Sequence, residues 1–292
     1  MDINNEQTNE NSPSQVEQQS IDDFQNQISP DNPPWNSLAG FGIWIFSIFA
    51  LIVLVNGAVL IYALANQMNV AALGDAIKNQ SDPYILVISI LTTLPAHLLT
   101  LGAVWLLVTR GGKYPFWQTL GWNWGRNFGL WASVGVAVGF FVFAGLLVSL
   151  FGETDNDLMR MLRSSRTAVY ITAFLATLTA PLVEETVYRG AMYSSFRRTF
   201  GNGGAIALVT LLFAVVHVPQ YYPSYGVILA ILLLSLVLTS VRAFTGNLLP
   251  CVVIHTVFNG IQSILLIAEP FLPKTAAPTE QPSIFTLPFL FQ

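Results

Sequence analysis

The sequence predicts an all-α fold: a polytopic membrane helical bundle of about seven transmembrane helices, within a range of six to eight. Three observations carry this. The 292 residues are 53% hydrophobic and only 10% charged, where an ordinary soluble domain carries about 25% charged residues, so a water-facing surface cannot be built from them. Apolar windows of about 17–25 residues, long enough to cross a hydrocarbon core of about 30 Å, recur along the chain. Basic and tryptophan residues gather between those windows, where headgroups would lie.

Residues 1–39 come first and stand apart. They hold seven acidic residues, no Lys or Arg, and abundant Asn, Gln, Ser and Pro. Such a segment buries too little apolar surface to offset its ordering entropy and is expected to be a disordered acidic tail. It lacks the basic start and early apolar run of a signal peptide. Pro33, Pro34 and Trp35 are expected to mark its arrival at the membrane interface.

Residues 40–160 read as N-terminal transmembrane helices, with spans near 41–65, 84–108 and 130–151. Arg110, Gly111, Gly112 and Lys113 end the second span, and Trp117, Trp122 and Trp124 follow at headgroup level. Arg160, Arg163 and Arg166, interleaved with Leu158, Met159 and Leu162, suggest a short helix lying on the surface.

Residues 161–270 read as the functional membrane core, with spans near 169–188, 205–218, 227–241 and 248–267. Three are short, and short or polar-bearing helices persist where they are packed inside protein or line a cavity. The Gly201, Gly203 and Gly204 cluster reads as a turn between helices. Pro219 and Pro223 close the fifth span, and Gly246, Asn247 and Pro250 open the seventh. Residues 271–292, with four prolines, form an irregular C-terminal tail. Basic residues between spans lean seven to five toward the side of the N-terminal tail, which favours a cytoplasmic N-terminus. The expected location is integral and multi-pass, in the plasma membrane.

Glu184 and Glu185 are the only acidic residues between Asp157 and Glu269. An ionised carboxylate in the bilayer centre costs about 2.5–3.5 kcal/mol even on lenient insertion scales. Glu185 and Arg189 are i, i+4 on a helix and can neutralise one another. Glu184 points about 100° away and has no basic neighbour one turn on, which leaves it free to take a proton from water. Phe213 and His217 share a face at i, i+4, as do His255 and Asn259. An imidazole and an amide on one face could hold a developing oxyanion. Four groups from three helices could thus meet at one water, enough for hydrolysis.

Each residue also has a plainer reading. A Glu–Arg pair can simply lock two helices, a lone histidine near a helix end is often structural, and an intramembrane Asn often bridges helices. Their joint occurrence, in a region nearly free of other ionisable groups, favours a site. His97 belongs to no such pattern. Cys251 and His255 at i, i+4 permit a thiol nucleophile, although a small buried cysteine is the common case. No zincin helix, Gly-x-Ser-x-Gly elbow or phosphate loop is present. With no Lys/Arg patch, nucleic acid is excluded as a partner.

Together the residues resemble the CPBP family, the CAAX proteases and bacteriocin-processing (Abi) intramembrane endopeptidases. That pattern is Glu-Glu-x-x-x-Arg, Phe-x-x-x-His and His-x-x-x-Asn on successive membrane helices, supplied here by Glu184, Glu185 and Arg189, by Phe213 and His217, and by His255 and Asn259. The resemblance covers about 170–266. It implies a helical bundle with a water-filled cavity in which peptide bonds are hydrolysed: Glu184 and His217 activate water, His255 and Asn259 stabilise the oxyanion, and Glu185, Arg189 and Phe213 support them. The substrate implied is a membrane-bound or lipid-anchored peptide, a prenylated one included, with membrane lipid as the other partner. No cofactor is favoured. Zinc is the alternative, held by Glu184, Glu185, His217 and His255. Two other classes stay open, a non-catalytic scaffold or immunity protein and a proton-coupled transporter, since intramembrane Glu and His also build proton relays.

Overall fold

The computed structural model describes residues 28–79, 81–152, 159, 162 and 164–271. The described chain is helical, with only isolated bridges outside the helices. α1 (Ser37–Ala65) is started by Asn36, whose side chain accepts from the Ala39 N–H. α2 (Val70–Asn79) is a short amphipathic connector. α3 (Pro83–Thr109) begins with an Asp82 cap and proline in its first turn, a position where the missing N–H is not needed. α4 (Phe116–Leu120) ends at Gly121, whose φ of 75° closes the turn. α5 (Leu130–Ser149) follows.

The chain then runs through α6 (Arg166–Phe174), a π turn (Leu175–Thr179), α7 (Ala180–Glu185), a second π turn (Thr186–Met192) and α8 (Tyr193–Tyr221). α9 (Tyr225–Thr245) and α10 (Leu249–Ala268) complete the bundle. Six helical stretches are long and apolar enough to cross a membrane, the fourth being Arg166–Tyr221.

That fourth stretch is a hairpin. Gly201 leaves helical geometry at φ 70°, ψ 176°, torsions natural to glycine. The Tyr188 and Phe213 rings, 25 positions apart, meet at 4.9 Å between centroids, where a straight helix would separate them by about 37 Å. The glycine cluster is therefore the expected turn, and each of the seven predicted spans lies on helix. Phe49, Trp131 and Phe244 are exposed, as side chains facing acyl chains should be, because lipid removes any penalty for leaving apolar area outside.

Two departures from the sequence reading share one cause. Residues 28–36, read as part of a disordered tail, pack against the bundle; residues 1–27 and 272–292 lie outside the described residues. Trp35 is buried and donates from Nε1 to the Ala191 carbonyl at 2.8 Å, so it anchors to protein and not to headgroups. Arg198 donates to Pro33 O at 2.8 Å, Arg242 to Pro30 O at 3.3 Å and Arg110 to Pro34 O, while Arg197 pairs with Asp31. A strap rich in proline keeps few N–H groups but many carbonyls, and arginine donors satisfy those. Arg242, counted as an interfacial charge, is fully buried with bonds to Arg189 O and Ser194 Oγ. In the proposed surface helix before α6, Met159 and Leu162 are buried in the main core; Arg160 and Arg163 lie outside the described residues.

Gly40 lets α1 approach the hairpin. A Cβ there would sit 2.4 Å from Ser195 Oγ and 3.1 Å from Ala191 O, the kind of close backbone approach that small residues permit between membrane helices.

Candidate active site

The site begins with a proline. In the first π turn the Ala180 N–H reaches back five residues to Leu175 O, so the next donor in that ladder would be the N–H of residue 181. Pro181 has none. The Ala176 carbonyl is left over, and Asn259 Nδ2 on α10 donates to it at 2.9 Å. In the second π turn Tyr193 N–H reaches Tyr188 O, and Arg242 Nε takes the following carbonyl, Arg189 O, at 3.2 Å. Single π turns inside α-helices recur at functional sites. Here they bracket the short α7 that carries Glu184 and Glu185.

Glu185 is fully buried and its Oε1 accepts two bonds, from Arg189 NH1 at 2.9 Å and from His255 Nδ1 at 2.8 Å. Arg189, also fully buried, is further held by Ser235 Oγ at 2.7 Å, Ser235 O at 3.1 Å and Thr239 Oγ1 at 3.2 Å on α9. Desolvated ions need such pairing. Glu184 differs: its side chain is 25% exposed, and its nearest ionic partner is His255 Nε2 at 3.9 Å.

The histidines are fixed by what their Nδ1 atoms touch. His217 Nδ1 is 2.7 Å from Phe213 O; a carbonyl only accepts, so Nδ1 carries the hydrogen and Nε2 is left for the site. His255 donates from Nδ1 to Glu185 and turns Nε2 toward Glu184. Phe213 organises them all. Its centroid is 4.7 Å from the Arg189 guanidinium, 4.6 Å from the His217 ring and 6.1 Å from the His255 ring. A desolvated cation–π contact of this kind contributes about 2 kcal/mol.

The structure thus joins Glu185, Arg189 and His255 directly and sets Glu184 beside His255. Phe213 stacks on His217, and Asn259 stands one turn beyond His255. Four buried polar atoms there have no hydrogen-bond partner among the described residues: Glu185 Oε2, His255 Nε2, Asn259 Oδ1 and Tyr221 OH. Buried polar groups are nearly always paired in native proteins, so such atoms mark a place built to meet something else.

Zinc would draw on Glu184, Glu185, His217 and His255. Glu185 Oε1 and His255 Nδ1 are committed to each other, and among the described residues no three His, Cys, Asp or Glu side chains are placed to hold an ion, whereas zinc takes three or four protein ligands.

Some neighbours carry no signal in the motifs. His97 bonds through Nδ1 to Thr179 Oγ1 at 2.9 Å, in the π turn that precedes α7. Trp44 Nε1 donates to Tyr188 OH at 2.9 Å, tying α1 to the hairpin. Cys251 is fully buried with its thiol 3.3 Å from Leu238 O.

Residues 166–261 match the family model described as type II CAAX prenyl endopeptidase, Rce1-like. This is the CAAX protease family that the three motifs resemble. The Rce1-like segment covers about a third of the chain and takes in every residue named from the motifs, together with both π turns and the Gly201 hairpin. No curated protein and no solved structure matches the chain. With its apolar helices and its Rce1-like segment, the chain is an integral multi-pass membrane protein, and the family-level activity is that of a peptidase acting on a membrane-associated peptide.

Proposed function

We propose that this chain is a metal-independent intramembrane endopeptidase of the plasma membrane, cutting a lipid-anchored peptide with water activated by Glu184 and His217. One observation carries the reading. The fully buried Glu185–Arg189 pair holds His255 from another helix by a 2.8 Å bond and presents its free Nε2 toward Glu184. A pair serving only to lock helices has no need of an imidazole aimed at a second, more exposed carboxylate.

In this mechanism Glu184 takes a proton from a water that His217 Nε2 helps to orient. The water oxygen attacks the scissile carbonyl carbon. The oxyanion is met by His255 Nε2–H, an imidazolium whose charge the Glu185 carboxylate offsets, and by the amide of Asn259. Glu184 returns the proton to the leaving nitrogen as the C–N bond breaks.

The test is cleavage in proteoliposomes of two membrane-anchored peptides of one sequence, prenylated and not, with products identified by mass spectrometry. Cleavage after exhaustive chelation is expected; loss of activity on chelation, restored by zinc, would overturn the metal-independent part. Failure to cut either peptide, or any peptide in a membrane-proteome comparison for new termini, would overturn the whole.

Asn259→Ala is expected to lower kcat by about 100- to 1000-fold, the usual effect of one lost oxyanion donor. Because it also orphans Ala176 O, unfolding stability should fall by about 1–3 kcal/mol. A thermal shift with unchanged kcat would confine Asn259 to the helix contact.

A further inference from the structure

Phe213, His217 and Tyr221 follow one another at i, i+4 and i+8 on α8, which continues through Pro219 to Tyr221, so the three lie on one face of the helix. The first is packed against Arg189 and both site histidines, and the second belongs to the site. The third is 1% exposed, and its hydroxyl has no hydrogen-bond partner among the described residues.

The combination is informative. A buried phenol normally finds a partner for its hydroxyl, and among the described residues this one has none. It stands one turn beyond His217 on the same helix and is buried, which puts it beside the site residues and not among the lipid-facing ones. A buried hydroxyl without a partner is destabilising relative to the same ring without oxygen, so packing alone would be served better by phenylalanine.

We propose that Tyr221 is a further catalytic residue, whose hydroxyl donates a hydrogen bond to the oxygen of the scissile carbonyl as it becomes the tetrahedral oxyanion. This rests on the endopeptidase reading above. The role is hydrogen bonding only: the proton stays on Tyr221, and proton transfer remains with Glu184. The donor set for the oxyanion is then drawn from two elements, His255 and Asn259 on α10 and Tyr221 at the end of α8.

The experiment compares wild type, Glu184→Gln and Tyr221→Phe in the same proteoliposomes. It records kcat and KM, the melting temperature, and inhibition by a peptidyl phosphinate that mimics the tetrahedral state. Tyr221→Phe is expected to lose about 100-fold in kcat with KM within about twofold, to bind the phosphinate correspondingly more weakly, and to melt no lower than wild type. If wild type cuts, Glu184→Gln does not, and Tyr221→Phe keeps its full kcat and phosphinate affinity, this inference falls while the endopeptidase reading stands. A lower melting temperature with unchanged kinetics would likewise reduce Tyr221 to a packing residue. If wild type and Glu184→Gln are equally inert toward every substrate, the endopeptidase reading falls and takes this one with it.

Discussion

Glu184→Gln is expected to abolish peptide cleavage and leave the helical bundle folded. The substitution keeps the side chain's size and removes only its capacity to take a proton. A well-placed general base contributes about 100- to 10,000-fold, and Glu185 is a poor substitute, being fully buried and ion-paired with Arg189. The fold should tolerate the change because Glu184 is partly exposed and its nearest ionic partner, His255, stands 3.9 Å away. The check is a rate measurement beside size-exclusion and thermal-melting profiles. Unimpaired cleavage by folded Glu184→Gln protein would remove the central claim of the mechanism.

The opposite outcome, loss of the fold, is expected for Arg189→Met. Methionine fills part of the volume but leaves Glu185 ionised and buried, and breaking one side of a buried pair costs about 3–5 kcal/mol. The bonds to Ser235 and Thr239 are lost as well, and so is the cation over the Phe213 ring. Against a typical total stability of about 5–15 kcal/mol, most of the protein should fail to accumulate. Combining Arg189→Met with Glu185→Gln removes the stranded charge, so the double variant should be more stable than Arg189→Met alone, a coupling that a double-mutant cycle measures by thermal melting in detergent. Arg189→Met protein that melts like wild type would show that the pair contributes little to the fold.

Much of this could be read from residues in order, and the reason is the solvent. Lipid requires each crossing to be apolar over about 20 residues, which made the spans visible. The i, i+4 pairs were visible because a helix converts spacing into a shared face. What escaped depends on contacts between distant parts of the chain. Asn259 was read as an oxyanion donor, yet its visible bond is to Ala176 O, a carbonyl orphaned by Pro181 only once the ladder has shifted by one residue. The link from His255 to Glu185 joins two motifs and belongs to neither pattern alone. Tyr221 carries no sequence signal because Pro219 reads as a helix stop, whereas near a C-terminus a proline forfeits one bond and the helix runs on. The 28–36 strap looked unstructured because its partners are arginines meeting backbone carbonyls, which leave no side-chain pattern.

The bend at Gly201 places Glu184 and His217 at nearly equal distances along two limbs that share one pivot. Each limb is about 25 Å from pivot to tip, so a swing of about 5° would shift the tips by about 2 Å, enough to uncouple acid from imidazole. Torsional slack at one residue therefore has to be braced elsewhere. The braces are Trp35 on Ala191 and Arg242 on Arg189 and Ser194, which makes the polar N-terminal strap a splint for a distance it never touches.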